Sequence, residues 1–541
     1  MRRAVAIMAG LAATLVVTGV SAAKVLRVGS YHGVKGQYTS IQAAVNAAKP
    51  GDWILIGPGD YKTDPSSIVA PKGHSNFPAG VLITKRNLHL RGMNRKTVIV
   101  DGTKPGSARC SSKASAQNFG RRQTSRPGAS ASGYARVAAG KPSGVNGLMV
   151  WKAGNVSIEN LTACNFLGGS ADAGNEIWWN GGADSGKVQG HGFYGAYLTT
   201  TSRYLKGKSK AGEFSAAQYG VFSSNWSGGT WDQIYASNFN DSGIYIGACR
   251  QVCDQTLNHA WAEYNALGYS GSNSGGQLVV KNSEWDNNEE GFNTNSQNGD
   301  NPPPQNGACP HNGISPITHT HSCWVFMHNY VHDNNNPNVP AAGSAAAGPV
   351  GTGVVDAGGR NDTIMDNRIV NNKAWGALIV NYPDSGPPCT GGTKNSPLLG
   401  KKSCLYDEWG DALIDNTFTH NGGYGNPTTG DFEQLNFESH PSNCFSGNVD
   451  TSGTLSPGAV KLEQTYPVCT TTPVAPNLNL PFLNEVLCDS IISVPPFGCK
   501  PGDHYPRVTH IVMHPLPKNL KTMPNPCKGV PGNPWCRRRK T

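Results

Sequence analysis

Residues 238–247 read N-F-N-D-S-G-I-Y-I-G, residues 262–272 read A-E-Y-N-A-L-G-Y-S-G-S, and residues 283–296 read S-E-W-D-N-N-E-E-G-F-N-T-N-S. Each stretch carries an Asn three residues before a Gly: Asn240 and Gly243, Asn265 and Gly268, Asn288 and Gly291. The glycine steps are 25 and 23 residues, the signature of a stacked repeat in which each unit is one coil. Asn165 and Gly168 carry the same mark 75 residues before Asn240 and Gly243. Downstream the mark loosens to an apolar residue followed three later by Asn, at Trp285/Asn288, Ile369/Asn372 and Phe418/Asn421, with Asp333 after Tyr330.

A physical reason favours Asn at one place in each coil. Equivalent residues of neighbouring parallel coils stand ~4.8 Å apart. The Asn amide carries a donor and an acceptor on one short side chain, so stacked amides bond to one another. Asn also tolerates the left-handed backbone of a tight turn. The pattern predicts an all-β solenoid, a parallel β-helix of short strands and Asn-marked corners.

The chain has 541 residues, 67 of them Gly, with 37% hydrophobic content. That composition suits many short strands and turns in one elongated body better than a helical bundle. Arg2 and Arg3, an apolar run, and Ser21-Ala22-Ala23 predict a secretory signal peptide over residues 1–23. No other segment approaches the ~18 apolar residues a membrane span needs. Secretion makes the 14 cysteines disulfide candidates. Sequence neighbours suggest Cys249/Cys253, Cys309/Cys323, Cys389/Cys404, Cys444/Cys469, Cys488/Cys499 and Cys527/Cys536, with Cys110/Cys164 as the remainder.

The net charge of +10 is concentrated: residues 104–141 and 500–541 each sum to +8, so the rest of the chain is net acidic. The basic segments suit contact with an anionic wall polymer or lipid, or no contact at all. The pI therefore does not argue for a nucleic-acid partner.

Thr39 and Ser40 offer an N-cap to a helix whose Ile41, Ala44, Val45 and Ala48 form one apolar face. Pro50-Gly51 stops it, and the strand W-I-L-I-G follows. Such a helix closes the open end of a solenoid. The whole run S-I-Q-A-A-V-N-A-A-K-P-G-D-W-I-L-I-G-P-G-D-Y (40–61) resembles the N-terminal cap of secreted right-handed parallel β-helix proteins, the pectate-lyase-like superfamily. The resemblance is looser over residues 144–448. It implies the fold, a secreted life and a polysaccharide substrate, and it carries over no catalytic residue. G-H-G at 190–192 is similar to a polygalacturonase motif, but the chain has no D-D pair, and the pectate-lyase pattern R-x-P-x-x-R is missing too.

The expected organisation is a signal peptide over 1–23, a β-helix over 24–455 and a Pro/Cys-rich basic C-terminal segment over 456–541. A basic flexible insertion (104–141) and loops (299–322 and 383–404) interrupt the helix. The C-terminal segment is expected to drape over the end of the solenoid or to trail.

Candidate chemistry gathers where carboxylates do. Asp286, Glu289 and Glu290 form the densest acidic group on the repeat, with Lys281 and Arg250 as candidate bases. Two of these carboxylates would act as acid and base in a hydrolase; a Lys or Arg would abstract the proton in a lyase. Asp241 and Glu263, on neighbouring coils, could join them around Ca²⁺, the one cofactor suggested. The bland alternative is a solvated polar turn. Trp178 and Trp179 are the expected sugar-stacking pair, with Trp285 and His259 as further substrate contacts. Cys309, His311, His319, His321 and Cys323 could hold Zn²⁺, but a Cys309–Cys323 disulfide competes. The sequence predicts a secreted monomer, wall-associated or free, that acts on an extracellular or cell-wall polysaccharide by lyase or hydrolase chemistry. The alternative is a non-catalytic, adhesin-like glycan binder.

Overall fold

The computed structural model describes residues 23–537, apart from 123–139, 183–186, 207–215, 297–323, 343–344, 346, 386–388, 390–391, 396–402 and 490–497. The signal peptide and the Cys309–Cys323 loop, with its three histidines, lie outside the described residues.

The chain winds into a right-handed parallel β-helix. Each full coil contributes a strand to three faces. Face A runs from Val25–Val28 through Trp53–Ile56 and His89–Gly92 to Cys444–Ser446. Face B includes Tyr235–Ser237, Trp261–Glu263, Glu284–Asp286, Tyr330–His332 and Arg368–Val370. Face C is a 10-stranded sheet from Ala79–Ile83 to Gly430–Leu435. Faces A and B join where Val156–Cys164 and Phe193–Thr201 bend through both, at Asn160 and Tyr197, which take φ of 59° and 52°.

The middle residue of each short face B strand points into the solenoid. Ala236, Ala262, Trp285, Val331, Ile369 and Phe418 stand in one register column, all buried. Stacking apolar residues along the axis fills the core coil by coil.

The B-to-C corner is an Asn ladder. Asn265 Nδ2 donates to Asn288 Oδ1 (3.0 Å), Asn288 to Asn334 (3.0 Å), Asn334 to Asn372 (3.1 Å) and Asn372 to Asn421 (3.4 Å). The same oxygens accept the backbone N–H of the preceding coil's Asn. Thus the repeat's Asn-marked corner is real at Asn265 and Asn288, while Asn240 sits one residue out of line. Ser237 faces Glu263 and Ser242 faces Leu267, so the earlier corner holds one extra residue. Phe239 takes the ladder position, and its N–H bonds to Asn265 Oδ1. Asn165 is likewise out of line, holding Ser111 O and the Arg203 N–H. Asn334, after Val331, fills the place the sequence reading gave to Asp333. A second ladder, at the A-to-B corner, joins Asn329, Asn367, Asn416 and Asn448.

Both ends are capped. At the N-terminus the helix Ile41–Ala47 buries Ile41, Ala44 and Val45, and Ser40 Oγ accepts the Ala43 N–H. At the C-terminus the helix Pro457–Thr465 crosses the last coils, and Glu463 Oε1 accepts both the N–H and the side-chain amide of Asn448, ending the second ladder. Six of the seven expected disulfides are present, the seventh lying outside the described residues.

Two segments differ from their sequence reading. The basic insertion is fastened over 104–122. Cys110 is bonded to Cys164, and buried Gln117 donates to Ser111 O and Lys113 O. The C-terminal segment neither trails nor stops at the C-terminal end; it runs back along the whole solenoid. Tyr505 packs near Trp375, Val512 N–H bonds to Asn338 O, and His514 exchanges backbone bonds with the Asn238 amide. Further on, Thr522 bonds to Asn160, and Trp535 is buried against Leu55 and Met93 of the first coils. The strap follows backbone and Asn donors left at the corners, a pairing that no periodicity in the strap announces.

Candidate functional site

A strand with one inward residue presents its two flanking residues outward. On face B this builds two outward columns. One contains Tyr235, Trp261, Glu284, Tyr330 and Arg368; the other contains Ser237, Glu263, Asp286, His332 and Val370. Glu263 and Asp286 are therefore direct neighbours across adjacent coils.

Each carboxylate is held. Tyr235 Oη donates to Glu263 Oε1 at 2.7 Å. Trp261 Nε1 donates to Asp286 Oδ1 at 2.7 Å, and Asn287 Nδ2 to Asp286 Oδ2 at 2.5 Å. Burial disfavours charge on both. It pushes Glu263 up to about 7, against the Tyr235 hydrogen bond and helped by the charges of Asp286 and Glu284. Burial likewise pushes Asp286 up to about 6, opposed by the Trp261 bond and by His332.

His332 joins them. Its Nε2 lies 3.2 Å from Glu284 Oε1 and its Nδ1 2.8 Å from Asp333 Oδ2. Burial pulls the imidazole down, but these two carboxylates outweigh it and the net shift is upward. Its ring stacks on Tyr330 (3.9 Å), and the Arg368 guanidinium lies 4.6 Å over the Tyr330 ring. The ligand atoms of Glu284, Asp286 and His332 lie within 4.8 Å of one another, so these three also form a possible cation set. The rim toward the B-to-C corner is the strap, where His514 stacks flat on Tyr264 at 3.7 Å.

The sequence-derived residues divide sharply. Asp286 and Glu263 belong to this array. Glu289 and Glu290 do not: the corner carries them round to face C, where both are buried. Glu290 Oε2 accepts from Asn293, and the segment at Gly348 packs so closely that a Cβ there would stand 1.4 Å from Glu290 Oε1. Asp241 occupies the same corner two coils back and accepts from Tyr219 Oη at 2.8 Å. Among the described residues neither Asp241 nor Glu263 belongs to a group with cation-ligand spacing. Lys281 ends a face A strand away from Asp286, and the Arg250 side chain lies outside the described residues.

The tryptophans are corrected outright. Trp179 and Trp285 are core residues with no exposure. Trp178 points outward on face C but is covered, stacking on Phe222 at 4.7 Å. None offers a ring to a sugar. His259 is exposed on the A-to-B corner, paired with Asp232 at 2.8 Å. The residues that sequence reasoning missed, Tyr235, Trp261, Glu284 and His332, carry a readable signal. W-A-E, E-W-D and Y-V-H are short strands with one inward residue flanked by polar or aromatic ones.

No family model matches the chain, and no curated protein matches it in sequence. Several solved structures are similar in architecture. The A-module of mannuronan C-5 epimerase AlgE4 from Azotobacter vinelandii is 13% identical with a TM-score of 0.38, over 77% of this chain and 93% of that one. The alginate lyase of Paenibacillus sp. str. FPU-7 is 12% identical with a TM-score of 0.35, over 76% and 98%. Pectin methylesterase PemA from Erwinia chrysanthemi is 13% identical with a TM-score of 0.32, over 76% and 92%. At these values the likeness is one of fold.

Proposed function

We propose that this chain is a secreted glycoside hydrolase acting on an extracellular polysaccharide, with Glu263 as general acid and Asp286 as nucleophile. The observation that carries the reading is the carboxylate pair itself. The two residues stand opposite each other on adjacent coils, one pushed to about 7 and the other to about 6. Near pH 6.5 the first keeps a proton to give to a leaving oxygen while the second is ionised. Adjacent parallel strands set ~4.8 Å between backbones, close to the ~5–5.5 Å carboxylate spacing of retaining glycosidases. Half-buried Trp261 gives a sugar face flat apolar surface.

Charge favours hydrolysis of a neutral glycan over elimination on a uronate. Glu263, Glu284, Asp286 and Asp333 line the shelf against His332 and Arg368. A polyanion would meet net repulsion there. The six disulfides suit the oxidising compartment that secretion provides.

The test is product chemistry on a panel of neutral and uronate-containing polysaccharides. New reducing ends with retained anomeric configuration and no unsaturation are expected. Unsaturated ends would replace hydrolysis by elimination. Glu263→Gln and Asp286→Asn should each lower turnover at least ~10²-fold while leaving glycan affinity in place. The second reading, a non-catalytic glycan binder, draws on Tyr235, Trp261 and Asn287 already bonding both carboxylates. It is favoured if glycan is bound and no product forms.

A further inference from the structure

The corner between faces C and A holds an arrangement unlike the other two. Its register column passes through Leu278, Trp324, Asp362, Asp411 and Asn443. Each of the last three acts as a ladder residue. Asp362 Oδ1 accepts the Trp324 N–H (3.0 Å), Asp411 Oδ1 the Asp362 N–H (2.9 Å), and Asn443 Oδ1 the Asp411 N–H (2.9 Å). In the Asn ladders the second amide atom donates onward. An Asp in that position has an oxygen there instead, so carboxylates have replaced amides in a structure built for amides.

Carboxylate oxygens of this column converge, although Asp362 Oδ2 also accepts the Arg360 N–H at 3.3 Å. Asp356, from the inward side of face C, joins Asp362 and Asp411, with ligand atoms within 4.8 Å of one another and all three residues buried. Asp411 Oδ2 accepts no hydrogen bond from the described residues. Independently of this trio, Glu408 has no exposure, and neither of its carboxylate oxygens meets a donor from another described residue. The charges of Asp411 and Asp356 act on it directly. Arg360 is the guanidinium that acts on Asp411, and it is drawn the other way as well, with Nε toward Asp407 O and its plane 5.3 Å from Trp409.

We infer that Asp356, Asp362, Asp411 and Glu408 hold one hard divalent cation, calcium, inside the solenoid at the C-to-A corner. Among the described residues the set is all-oxygen and carboxylate-rich, which suits Ca²⁺, a cation that takes about 6–8 oxygens in flexible geometry. The ion would do for the C-terminal coils what stacked amides do for the others, bridging neighbouring turns. It is independent of the hydrolase reading, since it lies inside the coil and not on face B.

The experiment is metal analysis of the full mature protein, desalted after equilibration with CaCl₂. About one calcium per chain is expected, as for a single oxygen site. Asp411→Asn should hold none and still fold, because the amide keeps the Asp362 contact and restores a ladder donor; far-UV circular dichroism checks the fold. Asp286→Asn, on the outer shelf, should keep its calcium, which separates this site from the Glu284–Asp286–His332 group. Wild-type protein without calcium, or calcium retained in Asp411→Asn, overturns the inference. The first of these outcomes, with melting insensitive to EDTA, would mean that the four acids carry protons instead.

Discussion

Glu263 and Asp286 face one another with unequal claims on a proton, and that inequality fixes a pH profile. Activity requires Asp286 ionised, above about 6, and Glu263 protonated, below about 7. We expect kcat/KM to peak between these values and to fall on both sides with slopes near one. Tyr235→Phe removes the hydrogen bond that lowers Glu263, so the alkaline limb should move to higher pH. A limb that stays in place under Tyr235→Phe would show that Glu263 is not the group titrating there. The sequence made Asp286 visible because it sits in an acidic run, and misread its neighbours for the same reason. A corner separates residue 286 from residues 289 and 290, and a linear string of acids does not reveal a bend of that size. Trp285 failed for an equally local cause: in E-W-D the middle residue points inward, so the ring that looks available in one dimension is core.

At the scale of the element, the Asn ladder and the strap do different work. Asn288 bonds to Asn265 and Ala262 O on one side and to Asn334 on the other. Asn288→Ala removes these and orphans the buried Asn265 N–H. At about 1 kcal/mol per bond, plus the cost of the unmet donor, the loss should be about 3–5 kcal/mol. It should appear as a lower denaturant midpoint, and a change below about 1 kcal/mol would mean that the ladder is ornamental. This ladder was legible because Asn and Gly recur at coil spacing. Asn240 slipped out of it through one added corner residue, which leaves Gly243 opposite Gly268 and so hides in the glycine count. The strap was not legible at all. Its backbone bonds to Asn238, Asn338 and Asn160, residues 171 or more positions away, and it has no repeat of its own. Its anchor is Trp535, whose Nε1 bonds to Val34 O and whose ring fills a cluster with Leu55 and Met93. Trp535→Ala should cost about 3–5 kcal/mol locally. Hydrogen exchange should then rise along residues 505–536 and in the first coils while the Asn288 ladder stays protected.

Over the whole molecule, burial has pushed acids in one direction. Glu263 and Glu433 are raised to about 7 and Asp286 to about 6, while Glu176, Glu408 and Asp411 stand well above their ordinary values. In each case desolvation is the leading cause. A carboxyl whose folded value is raised holds its proton in the native chain over a range where the unfolded chain has released it. Its stabilising effect is complete below the ordinary value, 4.5 for Glu, and is lost as pH climbs through the folded value, about 7 for Glu433. His332 and His440 are raised by their carboxylate partners and act with the same sign. Stability in EDTA should therefore be greatest near pH 4 and should fall steadily to pH 8, by about 1.4 kcal/mol per pH unit for each proton that the two states hold differently. Calcium should flatten this slope by replacing protons at Asp411 and Glu408, and Asp411→Asn should flatten it without calcium. Melting temperatures at fixed ionic strength, with EDTA or CaCl₂, give the comparison directly. A maximum near pH 7.5 in EDTA would mean that the interior acids are ionised in the native chain without any metal. The acidic body was visible in the sequence once the two basic segments were set aside. That many of its acids are buried depends on strand parity and corner geometry, and these appear only when the coils are stacked.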